Sequence, residues 1–235
     1  MEELAILMAS GLGKRMQPLT LTRPKPLIEV SNLPMIETVI QGLLANRKID
    51  DICIVVGYLR TQFEYLNKKY SKIKIIENPD YENVNNISSI YYAREVLRKG
   101  CDCFICEADL YLRSPEILSS ELTESCYFGK MLNGHSDDWT FDVDDDGYIS
   151  RISKEGDDCY NMVGFSYFKA SDAAILADCI ESAYRKAGYE EMFWDDVVNH
   201  NLDKLKLRIH QVKPEDIIEI DTVEELRNAQ MRYKD

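Results

Sequence analysis

Residues 8–27 read Met-Ala-Ser-Gly-Leu-Gly-Lys-Arg-Met-Gln-Pro-Leu-Thr-Leu-Thr-Arg-Pro-Lys-Pro-Leu. Glycines placed directly after an apolar run let backbone N–H groups come close to a phosphate. Lys14, Arg15, Arg23 and Lys25 lie in a stretch, residues 4–28, that contains no acid. The whole chain carries 28 Lys and Arg against 41 Asp and Glu, a net charge of −13. Four cations gathered in so acidic a chain point to a polyphosphate ligand. Neither common phosphate fingerprint fits. A P-loop needs Ser or Thr after its lysine, where this chain has Arg15, and a dinucleotide loop needs a third glycine, where it has Met16.

A second chemistry is written in acids and aromatics. Residues 137–146 hold six acids in ten positions and residues 190–196 hold four in seven. Trp139, Phe141, Phe193 and Trp194 are interleaved with them. Aromatic faces beside carboxylates attract an organic cation. Read structurally, Asp142–Asp146 is an acidic hairpin turn and the tryptophans are core residues. A quaternary ammonium asks for aromatic faces alone. A primary ammonium asks for carboxylate partners, and Asp138, Glu190, Glu191, Asp195 and Asp196 are the candidates. On that reading, Asp195→Asn should harm a primary-amine substrate more than a quaternary one. His135, His200 and His210 stand in no pattern that suggests a general base.

These groups need a scaffold. Short apolar runs alternate with amphipathic stretches: strands at Leu4–Met8, Asp51–Val56, Ile73–Glu77 and Asp102–Cys106, helices at Pro34–Ala45, Thr61–Tyr70 and Ser88–Leu97. After residue 113, strands follow one another (Ser125–Met131, Trp139–Val143, Tyr148–Ser153, Met162–Phe168). Helices at Ser171–Lys186, Trp194–Asn201 and Val223–Met231 follow, with a strand near Leu205–His210. The expected fold class is α/β: an open Rossmann-like mixed, mostly parallel sheet with helices on both faces. A single domain over 1–235 is expected, with 1–113 binding the nucleotide and 114–235 the acceptor. Asp109 stands just past the carboxyl end of one strand and Asp221 closes another, the edge where open α/β sheets bind ligands. Asp221 has a rival reading as an N-cap, with Glu224 as its capping-box acid.

Composition narrows the function classes. A charge of −13 argues against polymeric nucleic acid as partner. No apolar run approaches the ~18–20 residues that span a bilayer, and the acidic N-terminus is unlike a signal peptide. Seven irregularly spaced cysteines make a poor disulfide framework, and Cys101, Cys103 and Cys106 read as strand thiols rather than zinc ligands. A cytoplasmic location is expected, with no membrane partner; a homodimer is left open.

The pattern Met-Ala-x-Gly-x-Gly-x-Arg-Met-x-Pro-Leu-Thr, continued by Pro24-Lys25-Pro26-Leu27, resembles the signature of nucleotidyltransferases that load a nucleotide onto a phosphorylated small molecule. Val56-Gly57-Tyr58-Leu59, Asn85-Asn86, Glu107-Ala108-Asp109-Leu110-Tyr111, Phe193-Trp194-Asp195 and Glu219-Ile220-Asp221 extend the resemblance along the chain. They bring it closest to bacterial CTP:phosphocholine cytidylyltransferases. The resemblance implies attack of a phosphate or phosphonate oxygen on the α-phosphorus of CTP, expelling pyrophosphate. A phosphomonoester with its second pKa near ~6 is already ionised and needs no general base.

By the same resemblance, Arg15 and Lys25 are catalytic. Ala9, Gly11, Gly13, Lys14, Asn85, Asn86, Ser88 and Glu107 contact the nucleotide, and Trp139, Phe193, Trp194 and Asp195 bind the acceptor. Asp109 and Asp221 hold Mg²⁺, which two like-charged reactants require. Asn83–Ser89 replaces the Gln/Gly motif of sugar-1-phosphate enzymes, which favours cytosine, although Asn86 or Ser88 also reads as a helix cap. Phosphocholine is the expected acceptor. Alternatives are 2-aminoethylphosphonate or phosphoethanolamine, a sugar-1-phosphate, and a non-catalytic nucleotide-sensing scaffold.

Overall fold

In the computed structural model, which describes residues 2–233, the first strand explains the layering. Strand β1 (Glu3–Ala9) is flanked on both sides by parallel neighbours, β2 (Ile49–Val56) and β4 (Asp102–Glu107). Side chains alternate along a strand. Ala5, Leu7 and Ala9 therefore enter one core with Ile36, Val39, Ile40 and Leu43, the 3–4 spaced stripe of helix α1 (Met35–Ala45). Leu4 and Ile6 face the opposite core, with Ile87, Ile90, Ala93 and Leu97 of α3 (Ile87–Leu97). A helix on each face is the consequence, as the sequence pattern required.

The parallel part continues through β3 (Ile73–Glu77), preceded by a 3₁₀ turn over Arg60–Phe63 and the short α2 (Glu64–Lys69). Past β4, the chain adds β5 (Leu110–Leu112), β6 (Cys126–Met131), β7 (Thr140–Val143), β8 (Ile149–Ser153) and β9 (Tyr160–Phe168). Then come α4 (Ala170–Ala183), α5 (Trp194–Asn199), β10 (Arg208–Gln211), β11 (Ile217–Glu219) and α6 (Val223–Arg232). The nine-stranded mixed sheet runs β8-β7-β9-β4-β1-β2-β3, with β6 also paired to β9 and β10 paired to β6. Strand β9 runs antiparallel to β4, so the second half of the chain completes the sheet begun by the first.

The acidic run forms a tight turn between β7 and β8. Asp144 Oδ1 accepts from the Asp146 and Tyr148 N–H groups, and Gly147 has φ +80°. Cys103 and Cys106 are buried within β4. Among the described residues, no helix is long and apolar enough to cross a membrane.

Candidate active site

The loop after β1 closes as a 3₁₀ turn at Lys14–Met16, entered through Gly13 in the left-handed region (φ +61°). A Cβ at Gly13 would meet Lys25 Cβ and Thr20 Cγ2 at 3.0 Å, so both the conformation and the close approach select glycine. Thr20 donates to the Gly13 carbonyl at 2.9 Å, and Met16 is fully buried under the loop. Met16 shares a small core with Ile220, Leu226 and Ala229. Its burial is worth on the order of 2 kcal/mol and ties the phosphate loop to the C-terminal segment.

That tie brings two distant carboxylates together. Strand β11 pairs antiparallel with β5, placing Glu219 opposite Leu110 and Asp221 near Asp109. Lys25 Nζ lies 2.5 Å from Asp221 Oδ1 and 2.7 Å from Asp109 Oδ2, and Arg15 reaches Asp221 Oδ1 at 2.9 Å. Burial opposes the Lys25 charge, yet the two aspartates outweigh it and raise its pKa. Asp221, despite burial, is held below the usual carboxylate range by Lys25 and Arg15. Burial, then Asp221 beside it, pushes Glu219 up; burial and the charge of Asp109 push Glu107 well up.

The N-cap assigned to Asp221 falls one residue later. Thr222 Oγ1 accepts from the Glu225 N–H, and Glu225 returns the bond to the Thr222 N–H at 2.8 Å. The Thr222–Glu225 box satisfies the start of α6 and leaves the Asp221 carboxylate free to meet Lys25.

Two adjoining hollows share this corner. One, of about 360 Å³, is lined by Ala9, Gly11, Gly13, Lys14, Arg15, Lys25, Asp109 and Asp221. The other, of about 740 Å³, adds Asn85, Asn86, Ser88, Glu107, Trp139 and Phe193. Fourteen of the sixteen residues singled out in the sequence therefore line one continuous cleft. Gly164 of β9 also faces it. Its φ is +75°, and a Cβ there would stand 2.9 Å from Glu107 Oε2.

Several side chains in the cleft are already committed to the protein. The Ser88 hydroxyl donates to the Asn85 carbonyl and accepts from Asn78, so this buried residue holds the loop together. Asn86 Oδ1 accepts from the Trp194 N–H at 3.0 Å, and the Asn85 N–H donates to the Glu190 carbonyl at 2.8 Å. Neither Asn86 nor Ser88 caps α3 through its side chain. The Asn pair instead fastens the loop before α3 to the segment entering α5.

The remaining two sequence candidates are corrected. Trp194 is 3% exposed and stacks on Tyr127 (centroids 5.7 Å, 23°), which makes it a core residue. Asp195 is equally buried, and its Oδ1 accepts from the Tyr127 hydroxyl at 3.0 Å. Burial pushes its pKa up to about 7. Phe193 is the extended N-cap of α5 and lines the cleft, while Trp194 and Asp195, the first two residues of the helix, are buried. The acids that line the cleft beside the aromatics are Asp137 and Asp138. Asp138 Oδ1 accepts from the Trp139 N–H at 2.7 Å, and Asp137 Oδ1 stands 3.1 Å from His135 Nε2.

Trp139 and Phe193, 54 positions apart, form an edge-to-face corner with centroids 5.3 Å apart at 72°. The Lys154 ammonium sits over both rings, 4.7 Å and 4.3 Å from their centroids. Sequence reasoning missed Lys154, for which no local signal existed. It also missed Glu219, although the alternation Glu219-Ile220-Asp221 suggested two acids on one face.

The model of the nucleotidyl transferase family matches residues 4–125, from β1 through the edge of β6. The chain belongs to the nucleotidyl transferase family. It is 51% identical over 222 residues to a 2-aminoethylphosphonate cytidylyltransferase of Lancefieldella rimae, covering 94% of this chain and 89% of that protein. It is 31% identical to a choline-phosphate cytidylyltransferase of Streptococcus pneumoniae, covering 96% of each. The solved structure of the Streptococcus pneumoniae CTP:phosphocholine cytidylyltransferase superposes with a TM-score of 0.90 over 99% of both chains at 31% identity. This nucleotidyltransferase thus groups with cytidylyltransferases along its whole length, in the Rossmann-like mixed-sheet fold expected from its sequence.

Proposed function

We propose that this enzyme transfers the cytidylyl group of CTP to 2-aminoethylphosphonate and releases pyrophosphate. The observation that carries the acceptor assignment is the 51% identity to a 2-aminoethylphosphonate enzyme, against 31% to a choline-phosphate enzyme. The cleft agrees with it. Asp137 and Asp138 lie beside the Trp139–Phe193 corner, and carboxylates suit an N–H-bearing ammonium that can donate to them. Phosphocholine, the acceptor first expected, has no N–H to give.

In the proposed reaction a phosphonate oxygen bonds to the α-phosphorus as the bond to the bridging oxygen of the β-phosphate breaks, and that oxygen leaves with pyrophosphate. The chain must bring two anions together and neutralise them, so positioning and charge supply the catalysis. Lys25, fixed between Asp109 and Asp221, would meet the α-phosphate and the incoming phosphonate. Arg15, largely exposed and hinged on Asp221, is placed for the β- and γ-phosphates, with Lys14 beside it. Gly11 and Gly13 leave the backbone open to them.

Mg²⁺ fits the donor set. It commonly takes one or two carboxylates and completes its shell with phosphates and water. Asp109 and Asp221 would hold it, and bound there it would neutralise charge on the phosphates. Burial and the neighbouring aspartates push Glu107 and Glu219 up, and a cation bound beside them would favour their charged forms.

The test is pyrophosphate release with CTP and Mg²⁺, run in parallel on 2-aminoethylphosphonate, phosphoethanolamine, phosphocholine and glucose-1-phosphate. The highest kcat/KM is expected for 2-aminoethylphosphonate. A preference for phosphocholine would return the assignment to the aromatic faces alone. Turnover of the sugar phosphate only would overturn a cationic acceptor altogether.

A further inference from the structure

We infer that Lys154 is a tethered ammonium that fills the acceptor's cation subsite in the resting enzyme and is displaced by the acceptor's own ammonium. Lys154 thereby acts as a built-in competitor for that subsite. The inference rests on the functional reading above and adds a device to it.

The placement follows from strand register. Thr140 pairs with Ser153 across β7 and β8, so Trp139 and Lys154 are the next residues at the same end of the hairpin. Phe193 closes the corner from the segment entering α5. Lys154 is an exposed residue, yet its ammonium lies within 5 Å of both ring centroids, inside the range at which a cation is attracted by a ring face. Its charge also reaches the buried Asp195 carboxylate behind the corner, where it acts against the upward push of burial. The corner thus already binds a primary alkylammonium: the one supplied by the chain.

Two unit cations a few ångström apart repel, so the corner accepts one ammonium at a time. The acceptor must evict Lys154, whose flexible, solvent-facing stem lets it leave. A cationic acceptor restores the cation–ring attraction that Lys154 gives up. A neutral acceptor of the same length restores nothing, and is the weaker ligand whether or not Lys154 is present. Tethering raises the effective concentration of the competitor without any covalent change. Lys154 should therefore raise KM by the same factor for every acceptor that enters the corner, since each evicts the same ammonium.

The experiment compares wild type, Lys154→Met and Lys154→Arg at saturating CTP. For Lys154→Met, an exposed-site cation–ring contact predicts a fall of about 2–5-fold in KM for 2-aminoethylphosphonate. The same relative gain is expected for the neutral 2-hydroxyethylphosphonate if it enters the corner, and kcat does not fall. Lys154→Arg keeps a cation on the rings and keeps the wild-type KM. An unchanged KM in Lys154→Met would overturn the inference, and a raised one would make Lys154 a substrate contact instead. Ethylammonium chloride, titrated calorimetrically without CTP, reads the same competition apart from turnover and should bind Lys154→Met more tightly than wild type. Equal binding would overturn the inference. If wild type turns over no amino-phosphonate, the functional reading fails, while the ethylammonium arm still decides the role of Lys154.

Discussion

Lys25 lines the cleft and Lys154 lies on the Trp139–Phe193 corner beside it, and their cradles differ. Lys25 has a side chain only 9% exposed and is gripped by two carboxylates at 2.5 and 2.7 Å. Lys154 is exposed and rests on two rings at 4.3 and 4.7 Å. The first contact is ionic and directional, in a place where losing the partner leaves uncompensated charge. The second is a soft attraction that any small cation can replace. In the proposed reaction the carboxylates would keep the Lys25 charge in place on the nucleotide side, and the aromatic faces would let the acceptor's cation come and go.

The largest expected effect breaks the fixed side. Lys25→Met keeps the stem and removes the charge, and kcat should fall about 10²–10³-fold, the loss typical of one electrostatic stabiliser. Steady-state pyrophosphate release measures it. A variant that kept its turnover would place Lys25 outside the chemistry and leave the carboxylate pair as structure only.

Asp195→Asn separates core from site. The folded-state pKa of Asp195, about 7, lies above its ordinary 3.8. Its contribution to stability is therefore fully present below about pH 4, declines as the pH rises, and is lost above pH 7. At ~1.4 kcal/mol per pKa unit, that decline amounts to about 4 kcal/mol. Asparagine still accepts from the Tyr127 hydroxyl, so Asp195→Asn should lose that decline and gain stability over wild type at pH 8, with little difference at pH 4. Urea midpoints at the two pH values read this directly. A variant with unchanged stability at both, but with acceptor selectivity abolished, would return Asp195 to the binding site.

Gly164→Ala tests the wall between the two sides. Alanine at φ +75° costs about 1–2 kcal/mol, and its Cβ would press on Glu107 Oε2 and Leu110 Cδ1 at 2.9 and 2.8 Å. A loss of about 2 kcal/mol or more in denaturant unfolding is expected. Wild-type stability would mean that β9 relaxes freely at this point. The smallest effect sharpens the exchangeable side. Asp138→Asn keeps the bond to the Trp139 N–H and removes a solvent-exposed charge, so KM for 2-aminoethylphosphonate should rise about 3–5-fold, and KM for phosphocholine less. An equal rise for both would show that the carboxylate supplies field rather than a hydrogen bond.

Legibility in the sequence divides along the same line. The phosphate loop was readable because its glycines and cations lie within twenty consecutive residues, where local conformation fixes their relation. Asp109 and Asp221 were readable as strand-end acids. Their shared grip on Lys25 depends on the β5–β11 pairing and on the small core around Met16, which no local pattern announces. The acceptor corner was half legible. Trp139 and Phe193 were identified and do meet, whereas Trp194 and Asp195 were assigned to the same surface and belong to the core.

The sequence by itself determined the alternation of elements, a mostly parallel sheet covered on both faces, and a cation-rich loop that can take a polyphosphate. These follow from periodicity and from charge carried in one short segment. Tertiary structure decided which of three consecutive residues, Phe193, Trp194 and Asp195, looks into the cleft, that Asp137 and Asp138 stand there as the acids, and that Lys154 lies on the rings. Those outcomes depend on how a hairpin end and a helix entry pack against each other. Side-chain identity sets what each group can do, and only the packing of distant segments sets what it faces.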